Sequence, residues 1–255
     1  INGDGRSDLA LRNFGVERFT YFNMNGAAYT TGSYDYMVNT YGVATSGDYN
    51  GDGRADFVWR NDTARVLYMW FSTAGGFVQQ FVSGFPAGWQ IVGSGDVNLD
   101  GKDDILWRNS ATEQFSYWVM NGAQVTSSAA FYMVNTYSVA ATGDFNGDGR
   151  TDVVWLRPGF NIYMGLANAA GGYDLQFVAN HTNGWAIAGA VDIDADGKDD
   201  LVMRNFANEQ LRYMIMNGAQ TVRQQDTYFV NTYNVAGLGD YNGDGYGDIM
   251  WVRPG

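Results

Sequence analysis

The 255-residue chain has no cysteine, one histidine and three prolines. The missing cysteines exclude a disulfide framework and thiol chemistry while leaving both oxidising and reducing compartments open. His181, in the polar stretch ANHTNGW, reads as a solvated loop residue. No H-E-x-x-H, no G-x-S-x-G and no phosphate-cradling glycine loop accompanies it, so the expectation is a protein that is not an enzyme. Basic residues are scarce too: 15 Lys and Arg against 27 Asp and Glu give a formal charge of -12. That excludes the clustered cations on which nucleic-acid binding depends. No run approaches the roughly 18 apolar residues of a membrane helix, and no basic stretch followed by an apolar one opens the chain, so no membrane span is expected. What remains is 45% hydrophobic and 16% aromatic, enough to bury a sizeable core.

The chain repeats itself. Asp48, Asp96, Asp144, Asp192 and Asp240 each begin the same acidic pattern at a constant step of 48 residues, and INGDGRSD at the start is the same loop without its first position. A second rhythm of 96 residues lies on top, with MNG at Met24, Met120 and Met216 and NTY at Asn39, Asn135 and Asn231. Two kinds of repeat therefore alternate.

Within one repeat, WQIVGSGD (Trp89 to Asp96) reads as a strand entering the loop and DILWRN (Asp104 to Asn109) as the strand leaving it. QFSYWVM (Gln114 to Met120) and AAFYMV (Ala129 to Val134) follow, separated by Asn-Gly and polar turns. Four short aromatic and β-branched runs without a sustained 3.6-residue period predict a four-stranded antiparallel meander. A 48-residue unit of this kind predicts an all-β fold, a β-propeller of four-stranded antiparallel blades. The whole of 1–255 is expected to be one repeat domain: an incomplete blade over 1–39, blades of about 48 residues to about residue 231, and an incomplete blade over 232–255. The opening loop and the repeated register at the two ends read as a fragment of a six- to eight-bladed ring, which the strict alternation makes even-numbered. Trp59, Trp107, Trp155 and Trp251 share one register with Leu11 and Met203, expected to be core packing between blades. Trp70 and Trp118 hold a second register, and Trp89 and Trp185 a third that only alternate repeats possess.

Each complete loop reads D-x-[DN]-x-D-G-x-x-D. Side-chain oxygens at positions one, three, five and nine, with the backbone carbonyl of position seven, suit a hard cation that takes six or so oxygens, and glycine at six permits the sharp turn. The expected ligands are Asp48, Asn50, Asp52, Arg54 and Asp56; Asp96, Asn98, Asp100, Lys102 and Asp104; Asp144, Asn146, Asp148, Arg150 and Asp152. The later loops supply Asp192, Asp194, Asp196, Lys198 and Asp200, then Asp240, Asn242, Asp244, Tyr246 and Asp248, while the first offers Asn2, Asp4 and Asp8. Arg54, Lys102, Arg150, Lys198 and Tyr246 enter through their carbonyls alone. A flexible all-oxygen cage predicts Ca²⁺ over Mg²⁺, with about five to six sites, one per repeat. Eighteen of the 27 acidic residues stand at ligand positions. The acidity therefore reads as a metal-binding inventory.

The units GDYNGDGRADFVWRN, GDVNLDGKDDILWRN and GDFNGDGRTDVVWLR, followed by YWVMNGAQV, resemble the FG-GAP or VCBS repeats of secreted bacterial proteins. Their loops resemble those of integrin α-subunit propellers and some fungal lectins. The resemblance implies seven blades, calcium between a blade's first and second strands, an extracellular or cell-surface location, and an adhesive, sugar-binding or scaffolding role. The literal Phe-Gly and Gly-Ala-Pro signatures of the integrin form are absent.

The expected function is an extracellular, calcium-stabilised, non-catalytic binding or adhesion module whose partner is a protein or a carbohydrate. The alternative is a structural scaffold or self-assembling surface subunit, with self-association through open blade edges. Seventeen tyrosines and eight tryptophans offer stacking faces of the kind sugar and protein recognition use. A glycan site is expected near Trp89 and Trp185 with Asn183, or at the NTY turns around Tyr41, Tyr137 and Tyr233. Asn61 and Asn180 carry N-x-[ST] acceptor sequences.

Overall fold

The computed structural model describes residues 1–180 and 184–254, and among them there are 21 strands and no helix. Strands β1 (Leu9–Asn13), β2 (Arg18–Asn25) and β3 (Ala28–Tyr36) form a three-stranded sheet. Four four-stranded sheets follow. The first holds β4 (Gly42–Gly47), β5 (Asp56–Asn61), β6 (Val66–Thr73) and β7 (Gly76–Gly84). The second holds β8 (Gln90–Gly95), β9 (Asp104–Asn109), β10 (Gln114–Asn121) and β11 (Gln124–Tyr132). The third holds β12 (Ser138–Gly143), β13 (Asp152–Arg157), β14 (Asn161–Ala167) and β15 (Tyr173–Asn180). The fourth holds β16 (Trp185–Val191), β17 (Asp200–Asn205), β18 (Gln210–Asn217) and β19 (Gln220–Tyr228), and β20 (Asn234–Gly239) pairs with β21 (Asp248–Val252). Every sheet is an antiparallel meander in chain order.

The four-stranded antiparallel blade is as expected, but the count is not six to eight. Four complete blades, a three-stranded sheet and a two-stranded one amount to about five blades' worth of strand. A blade consumes four strands and one 48-residue repeat, so 255 residues furnish little more than five. The expected fourth run, AAFYMV, also shifts: β11 begins at Gln124 and ends at Tyr132. Gly122, with φ of 60°, and Ala123 make a two-residue hairpin turn closed by the Asn121–Gln124 pair, so pairing starts directly after MNG.

The second strand of each complete blade is buried on both faces: β5 is DFVWRN and β9 DILWRN, with every residue of β9 buried. Such a strand reads as a continuous apolar run. The fourth strand is largely exposed and polar, as in QVTSSAAFY, which blunts an outer edge. A β-bulge recurs between the first and second strands, at Val43/Thr45, Ile91/Gly93, Val139/Ala141, Ile187/Gly189 and Val235/Gly237, and bulges add local twist.

The contacts divide the chain into two compact units. One comprises Ile1–Asp96, Asp100–Met133 and Tyr241–Gly243; the other comprises Val97–Leu99, Val134–Asp240 and the stretch from Asp244 onward. In the first, Trp59, Phe57, Phe19 and Trp70 form one aromatic layer, and Leu67, Met69, Ile105, Trp107 and Met120 another. The Gly26 N–H donates to the Tyr241 carbonyl at 2.7 Å, repeating the Gly122 to Tyr49 bond of the same unit. In the second, Ile162, Met164, Trp185, Leu201 and Met203 form the layer. Trp59, Trp107 and Trp155 are at most 1% exposed, as their shared register predicts. Leu11 breaks the expectation at 49% exposed, because β1 is an edge strand with no inner neighbour.

Candidate metal centre and its surroundings

The acidic loop joins the first and second strands of each blade. Between β4 and β5, the Asp48 carboxylate accepts the N–H groups of Gly51 at 2.8 Å, Asp52 at 3.1 Å and Gly53 at 2.7 Å. Asn50 Oδ1 accepts the Asp52 N–H at 2.8 Å, and Asp52 Oδ1 that of Arg54 at 3.0 Å. Asp144 repeats the pattern with Gly147, Asp148 and Gly149. Asp96, Asp192 and Asp240 each accept from positions five and six of their own loops. Position one thus organises the turn. Gly51 and Gly53 have φ of 75° and 79°, so position four is left-handed as well as position six, a requirement the spacing alone does not show. Leu99 and Ala195 meet it with φ of 66° and 60°.

Position nine is the most enclosed. Asp56, Asp104, Asp152 and Asp200 are 0% exposed. Asp56 accepts the Tyr49 N–H at 3.2 Å and the Ser72 N–H at 2.9 Å; Asp152 accepts those of Phe145 and Ala167, and Asp200 those of Ile193 and Met216. The closing carboxylate therefore also ties the loop to the third strand. Burial pushes Asp56 and Asp152 up to about 7 and Asp200 to about 6, with the backbone donors pulling the other way and the loop's other aspartates pushing further up. Carboxylates so placed call for a counter-charge or a proton.

Among the described residues, the fifth loop brings three carboxylates together. Asp192, Asp194 and Asp200 each bring a carboxylate oxygen within 4.8 Å of the others. Asp194 Oδ1 is buried with no hydrogen-bond partner. An orphaned oxygen beside two further carboxylates is the chemistry a hard cation requires, so these residues fit a calcium ion. Position five is directed elsewhere: Asp196 pairs with Lys198 at 2.9 Å, Asp148 with Arg150 at 3.7 Å and Asp4 with Arg6 at 3.4 Å. In the first loop, Asp8 accepts the N–H groups of Met24 and Asn2 at 2.9 and 3.3 Å.

Two acids outside the ligand pattern join neighbouring loops. Asp103 donates its N–H to the Asp48 carbonyl at 2.8 Å and accepts the Asp48 N–H at 2.6 Å; Asp199 and Asp144 do the same at 2.7 and 2.8 Å. A side chain at Gly47 or Gly143 would collide with these carboxylates. Sequence reading missed the clamp, although Asp103 and Asp199 stand 96 residues apart where the other loops carry Ser7, Ala55, Thr151 and Gly247. Sequence reading also missed the arginine after the tryptophan register. Arg204, 2% exposed, donates to the carbonyls of Gln210, Phe229 and Val230, each at 2.8 Å.

The aromatic candidates separate. Tyr41 and Tyr137 pack edge-to-face on Tyr68 and Tyr163, and Tyr233 on Phe229, so the NTY tyrosines serve packing within their units. Trp185 is buried and Trp89 half-buried. Asn61 is 8% exposed and its Oδ1 accepts the Ala64 N–H, so the side chain closes a turn; Asn180 is exposed. His181 and Asn183 lie outside the described residues.

Residues 48–107 and 96–155 match the FG-GAP-like repeat. No curated protein matches the chain. Among solved structures, a chain of the nidogen/laminin complex is similar with a TM-score of 0.60 at 12% identity, over 91% of this chain and 83% of that one. Kuenenia stuttgartiensis hydrazine synthase is similar at a TM-score of 0.49 and 10% identity, over 100% of this chain and 94% of that one. BBS1N in complex with ARL6DN is similar at 0.49 and 9% identity, over 87% and 62%. The chain carries FG-GAP-like repeats on a β-propeller fold built of four-stranded antiparallel blades.

Proposed function

We propose that the chain is a calcium-stabilised, non-catalytic binding module that works outside the cell and engages a protein partner. The observation that carries the calcium reading is the fifth loop, where the buried, unpartnered Asp194 Oδ1 stands with Asp192 and Asp200. Calcium bound there would neutralise the Asp200 carboxylate, which burial otherwise penalises. Calcium sites of extracellular modules fall in the range of about 0.1 to 1 mM, which only extracellular calcium fills. The binding reading draws on the first unit, where a cleft of about 530 Å³ is lined by Phe14, Asn39, Thr40, Arg60, Asp62 and Gln90 among others. The nidogen/laminin neighbour is itself a protein complex.

With a dissociation constant near 0.1 mM and about 2 mM calcium, linkage contributes about 1.8 kcal/mol per site, so five sites approach the stability of a whole domain. Calorimetry in calcium and in excess EGTA tests this. The melting temperature is expected to fall by well over about 10 °C on chelation; an unchanged curve would sink the calcium reading.

A further inference from the structure

The two double repeats differ around a tryptophan that both possess. In the second unit, Arg212 on β18 lays its guanidinium over the Trp185 ring, 4.1 Å from the centroid, and pairs with Asp226 on β19 through bonds of 2.6 and 2.7 Å. Trp185 beneath it is only 6% exposed. Ninety-six residues earlier, the equivalents of Trp185, Arg212 and Asp226 are Trp89, Ser116 and Ala130. The strand registers are the same: Arg212 stands between Met203 and Asp226 across the ladder, and Ser116 between Trp107 and Ala130. The tryptophan is kept, and both members of the ion pair above it are gone.

Their loss leaves a space. A cavity of about 130 Å³ in the first unit is lined by Pro86, Trp89, Trp107, Ser116 and Trp118. Its walls are more aromatic than those of its counterpart, because Trp107 and Trp118 replace Met203 and Met214, with ring centroids 4.7 Å apart and planes at 50°. Trp89 is half-buried and Pro86 exposed, so the cavity opens to solvent. The Arg60 guanidinium donates to the Trp89 carbonyl at 2.8 Å and is itself paired with Asp62 at 2.6 Å. The Ser116 hydroxyl donates to the Ala129 carbonyl at 2.6 Å.

We propose that this cavity is a receptor for a guanidinium group, an arginine side chain presented by a partner polypeptide. The incoming cation takes the place that Arg212 fills in the sister repeat and stacks on Trp89. Indole faces attract a guanidinium through their quadrupole, tryptophan most strongly of the aromatic side chains, and a flat, weakly hydrated ion stacks on a ring face where a hydrated ammonium does not. The proposal goes beyond the calcium reading and does not depend on it, since no loop aspartate lines the cavity.

The test is a titration of calcium-loaded protein with N-acetyl-arginine amide, followed by NMR at the indole N–H signals of Trp89 and Trp118. N-acetyl-citrulline amide, planar but uncharged, is the control, and methyl glycosides form a third arm. Arginine is expected to shift both signals and to bind about tenfold more tightly than citrulline. The S116R/A130D double variant, which rebuilds the pair of the sister repeat, is expected to abolish the shifts and raise the melting temperature. Should that variant fail to fold, W89L, at a half-buried position, is expected to abolish binding while leaving the fold intact. Equal affinity for citrulline, silence of both indoles towards arginine, or shifts caused by a glycoside alone would each overturn the proposal.

Discussion

Acidification separates the chelated protein from the calcium-loaded one. Asp56 and Asp152 are fully buried, and burial raises them to about 7 from 3.8. An acid raised in the folded state carries no penalty below its unfolded pKa and acquires the full penalty as pH rises through the folded one. Between pH 5 and 7 the unfolded carboxylate is ionised while the folded one stays protonated, so stability falls by about 1.36 kcal/mol per pH unit for each group. Moving from pH 7 to 5 in EGTA is therefore expected to stabilise the protein by about 5 kcal/mol from these two groups, with Asp103, Asp199 and Asp200, each raised to about 6 by burial, adding about 1 kcal/mol apiece. Carboxylates held below their ordinary value, Asp226 by Arg212 and Asp196 by Lys198, titrate beneath this window. Bound calcium instead requires the ionised carboxylates, and its affinity falls with pH, so the same acidification lowers stability in saturating calcium. The assay is a set of melting curves at pH 5, 6 and 7, each with calcium and with EGTA. At roughly 2 °C per kcal/mol for a chain of this size, the chelated series is expected to rise by about 15 °C towards acid and the calcium series to fall. Two series that fall in parallel would refute the reasoning.

Two substitutions probe the loops further. Ala195→Gly relieves a left-handed alanine and is expected to gain about 0.5 kcal/mol, glycine's unfolded-state freedom offsetting part of the roughly 1 kcal/mol of strain; a urea midpoint measures it. Asp199→Ala removes the acceptor of the Asp144 N–H, whereas Asp199→Asn keeps one, so the alanine variant is expected to be less stable than the asparagine variant by about 1–2 kcal/mol. Faster hydrogen exchange at the Asp144 amide in the alanine variant alone checks the cause.

Much of the blade was legible because its signals are local. The 48-residue period set the four-stranded unit, DILWRN marked β9 to the residue, and the tryptophan register marked the core. The acidic loop was legible as a run of oxygen donors at fixed offsets. Which of those donors converge was not, since the enclosure of position nine arises from neighbouring strands, and the pairing of Asp196 with Lys198 and of Asp148 with Arg150 depends on how each loop turns its side chains. The fourth strand was placed late because an exposed edge strand such as QVTSSAAFY lacks the apolar signature of an inner one.

The amino-acid sequence by itself determined the all-β class, the repeat length, the alternation of two repeat types and the identity of the oxygen-rich loops, since each depends on residues close in the chain. Only the tertiary structure decided that Asp103 and Asp199 clamp adjacent loops, that Asp194 keeps an unpartnered oxygen, and that Ser116 and Ala130 leave a cavity where Arg212 and Asp226 fill one. The physical reason is common to all three. Burial, electrostatic pairing and empty volume belong to groups brought together across strands and loops, and no spacing along the chain records whether a neighbour has arrived to fill the space.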